Sequence, residues 1–156
     1  MAGGKAKRIA RVCALDLGGV RVGVAISDEL GLLAHPRGVL DGRKQPALLS
    51  SLVALADDEG IDRFIVGLPL DMKGGEGDSA RRARRLAQAI ADATGREVEL
   101  WDERLSTVEA RRALADSDVH GKKAKAHIDE ASAVVVLQAW LDRARAGADR
   151  GGRGAG

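Results

Sequence analysis

The hydrophobic period of this chain is about two residues at first and then gives way to helical stripes of about 3.6 with short strands between them, and nothing else in the sequence restricts the fold as much. Before the switch, strand patterns crowd together. Ile9 to Leu17 reads as a strand, Gly18-Gly19 as a turn and Val20 to Ser27 as the returning strand of a hairpin. A third strand is expected over Pro36 to Leu40, after a turn near Gly31. After the switch, Ala47 to Glu59 carries Leu48, Leu49, Leu52, Val53 and Leu55 at helical spacing. Arg63 to Val66 is a short strand, ended by Gly67-Leu68-Pro69 and followed by a glycine-rich loop, Lys73 to Gly77. Asp78 or Ser79 can cap a second helix that runs to Thr94, with Gly95 as its stop and Ala83, Leu86, Ala87 and Ile90 on its inner face. Glu97 to Asp102 is the last strand, and Ser106-Thr107-Val108-Glu109 reads as a capping box that starts another helix. The final helix is expected from about Ile128 to Arg145, apolar almost all round after Asp129 and therefore buried.

The order β-β-β, then α-β-α-β-α-α, predicts an α/β fold. Its five-stranded mixed sheet, a three-strand antiparallel meander plus two parallel strands, is flanked by helices. Strands reached by helical crossovers lie parallel to their neighbour. The strands ending at Asp16, Val66 and Asp102 should therefore finish on one edge of the sheet, where open α/β sheets place ligands.

Length and composition agree with one compact domain, expected over residues 8–145, with loose ends over 1–7 and the glycine-rich 146–156. Hydrophobic residues make up 45% and aromatics only 2%, so Leu, Val, Ile and Ala must build the core. The net charge of +2 does not by itself announce a nucleic-acid binder. The single cysteine, Cys13, excludes an intramolecular disulfide and reads as a core thiol. No apolar run is long enough for a membrane span, and the basic N-terminus has no apolar segment behind it to make a secretory signal. A reducing cytoplasm and no membrane partner are the expectation.

Against this background one residue is out of place. ALDLGGVRVGVAIS, residues 14–27, is nearly all apolar, yet it holds Asp16. A charge left alone in an apolar interior is costly, so Asp16 needs a partner or a ligand that supplies one. Asp102 and Glu103 close the last strand, and Asp129 stands at the expected start of the final helix. Each has an ordinary explanation: Asp16 paired with Arg21, Asp102 with Arg104, Asp129 with a helix dipole. Together, like charges at one sheet edge call for a cation among them. Hard oxygen ligands without a His or Cys cluster suit Mg²⁺ or Mn²⁺, and two such ions roughly 3.5–4 Å apart can stabilise both oxygens of a phosphoryl transfer. Adjacent strand residues face opposite sides, so Asp102 and Glu103 are alternatives; the more polar set Glu99, Trp101, Glu103 slightly favours Glu103.

Four stretches in this order resemble the YqgF/RuvX family of Holliday-junction-resolvase-like pre-16S rRNA nucleases: ALDLGGVRVGVAISDELGLLAHP, FIVGLPLDMKGGEGDSA, LWDERLSTVEA and IDEASAVVVLQAWL. The resemblance implies an RNase H-like fold and a metal-dependent endonuclease, with catalytic and metal-binding acids at Asp16, Glu103 and Asp129 and with Asp102 in reserve. In the wider resolvase group an acid usually ends the strand that here ends in Gly67-Leu68-Pro69. The resemblance implies that Arg21 fills the family's cationic position after the first glycines and binds substrate.

Basic residues flank these acids. Lys122, Lys123 and Lys125, expected in a loop ahead of Asp129, suit contacts to a phosphate backbone, and Arg104 suits charge stabilisation at the reacting phosphate. Arg81, Arg82, Arg84 and Arg85 spread around a helix and read as solvated charge. Gly74, Gly75 and Gly77 fit either a flap over nucleic acid or plain turns. The substrate implied is pre-16S rRNA, with branched DNA as the alternative and ribosomal particles as expected partners. A non-catalytic RNA-binding assembly factor, or a phosphate-loop nucleotide binder of the sugar-kinase and actin type, are the competing classes; the latter clamps ATP between two such domains.

Overall fold

The computed structural model describes residues 10–106 and 122–154, with side chains over 10–106 and 128–147. Five strands form one mixed sheet: β1 (Arg11–Gly18), β2 (Arg21–Ser27), β3 (Ala34–Asp41), β4 (Ile61–Leu68) and β5 (Glu97–Asp102), in the order β3-β2-β1-β4-β5. β1–β2 and β2–β3 are antiparallel, whereas β4 runs parallel to β1 and β5 parallel to β4. This is the predicted meander with two crossover strands. Its third strand is longer than Pro36–Leu40 because Ala34 and His35 also pair, with Ser27 and Ile26.

Alternation along the strands divides the core between two faces. Cys13, Leu15, Val22, Val24, Ile26, Phe64 and Val66 pack under helices α1 (Gln45–Glu59) and α2 (Asp78–Thr94). Val12, Ala14, Ala25, Ile65 and Trp101 pack under helix α3 (Lys122–Gly154), through Ala133, Val136, Leu137 and Leu141. Burial pushes the Cys13 thiol far up and keeps it protonated, as a core thiol should be.

The helix boundaries revise several expectations. Gly77 rather than Asp78 or Ser79 is the N-cap of α2, without a side-chain bond. Asp78 instead pairs with Arg81 across one turn. Helix α3 begins at Lys122, so Lys122, Lys123 and Lys125 stand on its first turns and not in a loop. Lysine and alanine are both good helix formers, and the sequence there alternates them. Asp129 consequently lies inside the helix and is no terminal, dipole-favoured acid. At the other end α3 continues past Arg145 to Gly154. Only one side of it is closed off: Ala133, Val136 and Leu137 are buried, whereas Val134 and Val135 are partly exposed. The expected helix after Ser106 and the N-terminal residues 1–9 lie outside the described residues. Among the described residues no helix is long and apolar enough to cross a membrane.

Candidate active site

Strand register determines which side chains can meet. Asp16 follows Val12 and Ala14 on the α3 face, opposite Gly23 of β2. Leu15 pairs with Val66, so the next residue of each strand, Asp16 and Gly67, lie side by side. Gly67 pairs with Trp101, and Glu103 follows Trp101 on the same face. Asp16, Gly67 and Glu103 therefore occupy three adjacent strand ends under α3, which carries Asp129.

Three glycines make room for these acids. A Cβ on Gly67 would stand 2.6 Å from Oε1 of Glu103 and 3.3 Å from Oδ1 of Asp16. The two carboxylates thus converge above this glycine, no farther apart than those two distances combined. A Cβ on Gly18 would collide with the Asp129 carboxylate, and one on Gly23 with the Asp129 backbone carbonyl. Gly23 lets the helix backbone approach the sheet; Gly18 lets the carboxylate descend to it. Glycine within a strand commonly marks such an approach. The glycine inside RVGVAIS carries that signal in the sequence, whereas Gly18 and Gly67 read there as a turn and a strand end.

The acids are deeply enclosed. Relative exposure is 0% for Asp16, 1% for Glu103 and 6% for Asp129. Each of the three also has a polar or electrostatic interaction within the protein. Crowded buried carboxylates repel, and hard cations relieve that repulsion. Among the described residues, no group of three or more His, Cys, Asp or Glu side chains forms a ready-made metal cage. The donor chemistry that is present, buried carboxylate oxygens converging over a glycine, still suits Mg²⁺ or Mn²⁺. Mg²⁺ keeps several waters and takes only one or two carboxylates together with substrate phosphate.

Asp102 occupies a different environment. It lies on the opposite face from Glu103, and its Oδ1 accepts the Arg104 backbone N–H at 2.9 Å. The Arg104 guanidinium grips the same carboxylate with Nε at 3.0 Å from Oδ1 and a terminal nitrogen at 2.7 Å from Oδ2. These hydrogen bonds hold the Asp102 carboxyl below its ordinary range, against a smaller opposing effect of burial. The geometry thus brings Asp16 and Glu103 together over Gly67, sets Asp129 of α3 over Gly18 and Gly23 on the same face, and leaves Asp102 as the anchor of Arg104. Arg104 in turn borders Gly74 of the loop after β4: a Cβ on that glycine would lie 3.6 Å from the guanidinium.

Arg21 pairs in register with Gly18, on the same sheet face and at the same edge as Asp16. Among the described residues its side chain forms no hydrogen bond or ion pair, which leaves its charge available to an incoming anion. Lys122, Lys123 and Lys125 have side chains outside the described residues, as does His127. Of the arginines on α2, Arg81 binds Asp78 and Arg84 binds Glu76, in keeping with solvated surface charge. Trp101 is buried, and Trp140 donates its indole N–H to Glu99 at 2.6 Å.

The family model described as "RuvX: Holliday junction resolvase" matches residues 10–143. A protein of Anaeromyxobacter sp. (strain Fw109-5) named "Putative pre-16S rRNA nuclease" is 42% identical over 132 residues, which cover 85% of this chain and 96% of that protein. One of the same name from Myxococcus xanthus (strain DK1622) is 42% identical over 135 residues, covering 86% and 89%. Among solved structures, T. thermophilus RuvC in complex with a Holliday junction substrate superposes with a TM-score of 0.54. At 14% identity, over 86% of this chain and 96% of that one, it shares the RNase H-like fold.

Proposed function

This chain belongs to the RuvX family, and from that premise we propose that it is a divalent-metal-dependent endonuclease that trims the 5′ end of pre-16S rRNA. The observation that carries the reading is the convergence of the Asp16 and Glu103 carboxylates over Gly67, at the sheet edge expected to hold a ligand. Asp16 and Glu103 would hold the cation, with Asp129 joining them from α3. Bound Mg²⁺ or Mn²⁺ supplies Lewis-acid charge and an activated water for phosphodiester hydrolysis.

The protein's own residues do the rest. Helix α3 over this face of the sheet keeps the carboxylates largely out of solvent, which strengthens every charge interaction at the edge. Arg21 receives a phosphate of the strand, and Lys122, Lys123 and Lys125 extend that contact along the backbone without reading sequence. Arg104, anchored by Asp102, stands ready to offset charge at the reacting phosphate. The cytoplasm, and ribosomal particles as the setting, follow from the same reading.

The test incubates the folded protein with a pre-16S rRNA fragment and with a synthetic four-way DNA junction, in Mg²⁺ and in EDTA. Metal-dependent cutting of the RNA is expected. Cutting of the junction alone would move the substrate to branched DNA. Asp16→Asn should abolish cleavage while binding stays equal or tightens, because repulsion against phosphate is removed. A parent protein that binds RNA and cuts neither substrate would overturn the enzyme reading in favour of an assembly factor.

A further inference from the structure

The exposed large apolar side chains among the described residues lie in two groups. Leu30, Leu32 and Leu33 share the β2–β3 turn, at the edge away from the acids. Val20, Met72 and Leu105 stand on three separate loops at the edge where β1, β4 and β5 end. Met72 is the extreme case, at 96% exposure.

The loop beneath Met72 is tightly tied. Leu70 and Glu76 form an antiparallel bridge that closes it. Inside, the Asp71 carboxylate accepts the backbone N–H groups of Lys73 at 2.9 Å and Gly75 at 2.6 Å. The Asp71 backbone exchanges two further bonds with the loop, one to the Gly75 carbonyl and one from the Gly74 N–H, each at 3.0 Å. Gly74 turns with φ +85°, and a Cβ on Gly75 would meet Asp71 at 2.5 Å. Glu76 is pinned from outside by Arg84 at 2.7 Å, and Gly74 borders the Arg104 guanidinium. Lys73 follows Met72 directly. The chain therefore builds a braced finger, five residues beyond Gly67, and crowns it with an apolar side chain in water.

The occupant follows from what the molecule lacks. It has one Phe, two Trp and no Tyr. Phe64 and Trp101 are buried, and Trp140 is tied to Glu99. Among the described residues none of these three rings stands free at the edge that carries the acids, so contact with the face of an unpaired base there falls to an aliphatic side chain. Methionine serves as such a wedge in other nucleic-acid binders, and its thioether adapts to an aromatic surface.

We propose that Met72 packs against an unpaired nucleobase next to the scissile phosphate and so selects unpaired strands over duplex. The proposal deepens the nuclease reading and rests on it. Because the finger is already ordered, little conformational freedom is lost when the contact forms.

The test measures binding by fluorescence anisotropy in EDTA, using a labelled single-stranded RNA oligonucleotide, its blunt RNA duplex, and the DNA versions of both. Met72→Ala should weaken binding to the single strands about five- to tenfold, the loss expected for one partly buried apolar contact. Duplex affinity should stay within about twofold, and the slope of affinity against salt should not change, because no phosphate contact is removed. Met72→Leu should restore the loss and Met72→Gln should not. A loss confined to RNA, or to DNA, identifies which strand carries the base. Equal affinity of parent and Met72→Ala for every single strand would overturn the proposal, as would an equal loss on duplex. Cleavage by the same variants keeps the two readings apart. If Asp16→Asn is inactive while Met72→Ala behaves as parent, the finger idea fails and the nuclease stands. If Asp16→Asn still cuts, the metal-holding role of Asp16 fails; if the parent cuts neither RNA nor DNA, the nuclease reading itself fails.

Discussion

Replacing Gly67 by alanine adds one methyl group where the two acids meet. Gly67 is not among the positive-φ glycines, so alanine carries no backbone penalty and the effect is one of space. The new Cβ would lie 2.6 Å from Oε1 of Glu103, whereas ordinary contact begins near 3.4 Å, so that oxygen must retreat by about 0.8 Å. Asp16, at 3.3 Å, must yield slightly as well. Neither side chain can escape into solvent, because both are almost completely enclosed. A displacement near 1 Å at reacting groups costs about 10²-fold in rate. Overpacking of this kind costs about 1–3 kcal/mol, and for a chain of this size each kcal/mol lowers Tm by about 2–4 °C. Gly67→Ala should therefore remain folded, lose several degrees of Tm, lose about two orders of magnitude in kcat on the pre-16S fragment, and bind that fragment as the parent does. Gly147→Ala is the control, since nothing lies within 4 Å of a Cβ there. Parent-like kcat in Gly67→Ala would refute the claim that cleavage depends on acids gathered over this glycine.

Two further experiments probe the same frame. Gly18→Ala and Gly23→Ala both intrude on Asp129, the first on its side chain and the second on its backbone. Gly18→Ala should cost mainly activity, whereas Gly23→Ala must lift helix α3 from the sheet and should cost several degrees of Tm; calorimetry and cleavage on both variants check the contrast. Asp102 titrates below its ordinary range because Arg104 holds it. A depressed carboxyl pKa contributes stability that is complete above the unfolded value of about 3.9 and is lost as pH falls through the folded one. The Tm gap between parent and Asp102→Asn should accordingly be flat at neutral pH and close in acid; a gap that persists unchanged in acid would rule out the Arg104 contact as its source.

Much of the frame is legible in the chain. Period-two runs and the later helical stripes identify every described strand and the two helices on the first face, because side-chain direction follows the backbone period locally. Parity within Glu97–Glu103 puts Asp102 and Glu103 on opposite faces without choosing between them, and the strand order places their ends at one edge with that of Asp16. Boundaries are less legible where two signals compete. The lysine-alanine segment before Asp129 reads as a basic loop by charge and as a helix by propensity, and the backbone follows propensity.

The sequence by itself determined the kinds of element, their order, and the presence of acids that an apolar interior does not tolerate without a reason. Only the tertiary structure decided that Gly18, Gly23 and Gly67 are recesses for those acids, that Arg104 is already occupied by Asp102, and that Met72 stands on a tied loop at the same edge. The reason is physical: propensity and pattern act over a few residues, whereas a recess is a relation between atoms on strands and helices far apart in the chain. A missing side chain acquires its meaning only from what the folded chain brings into the space it leaves.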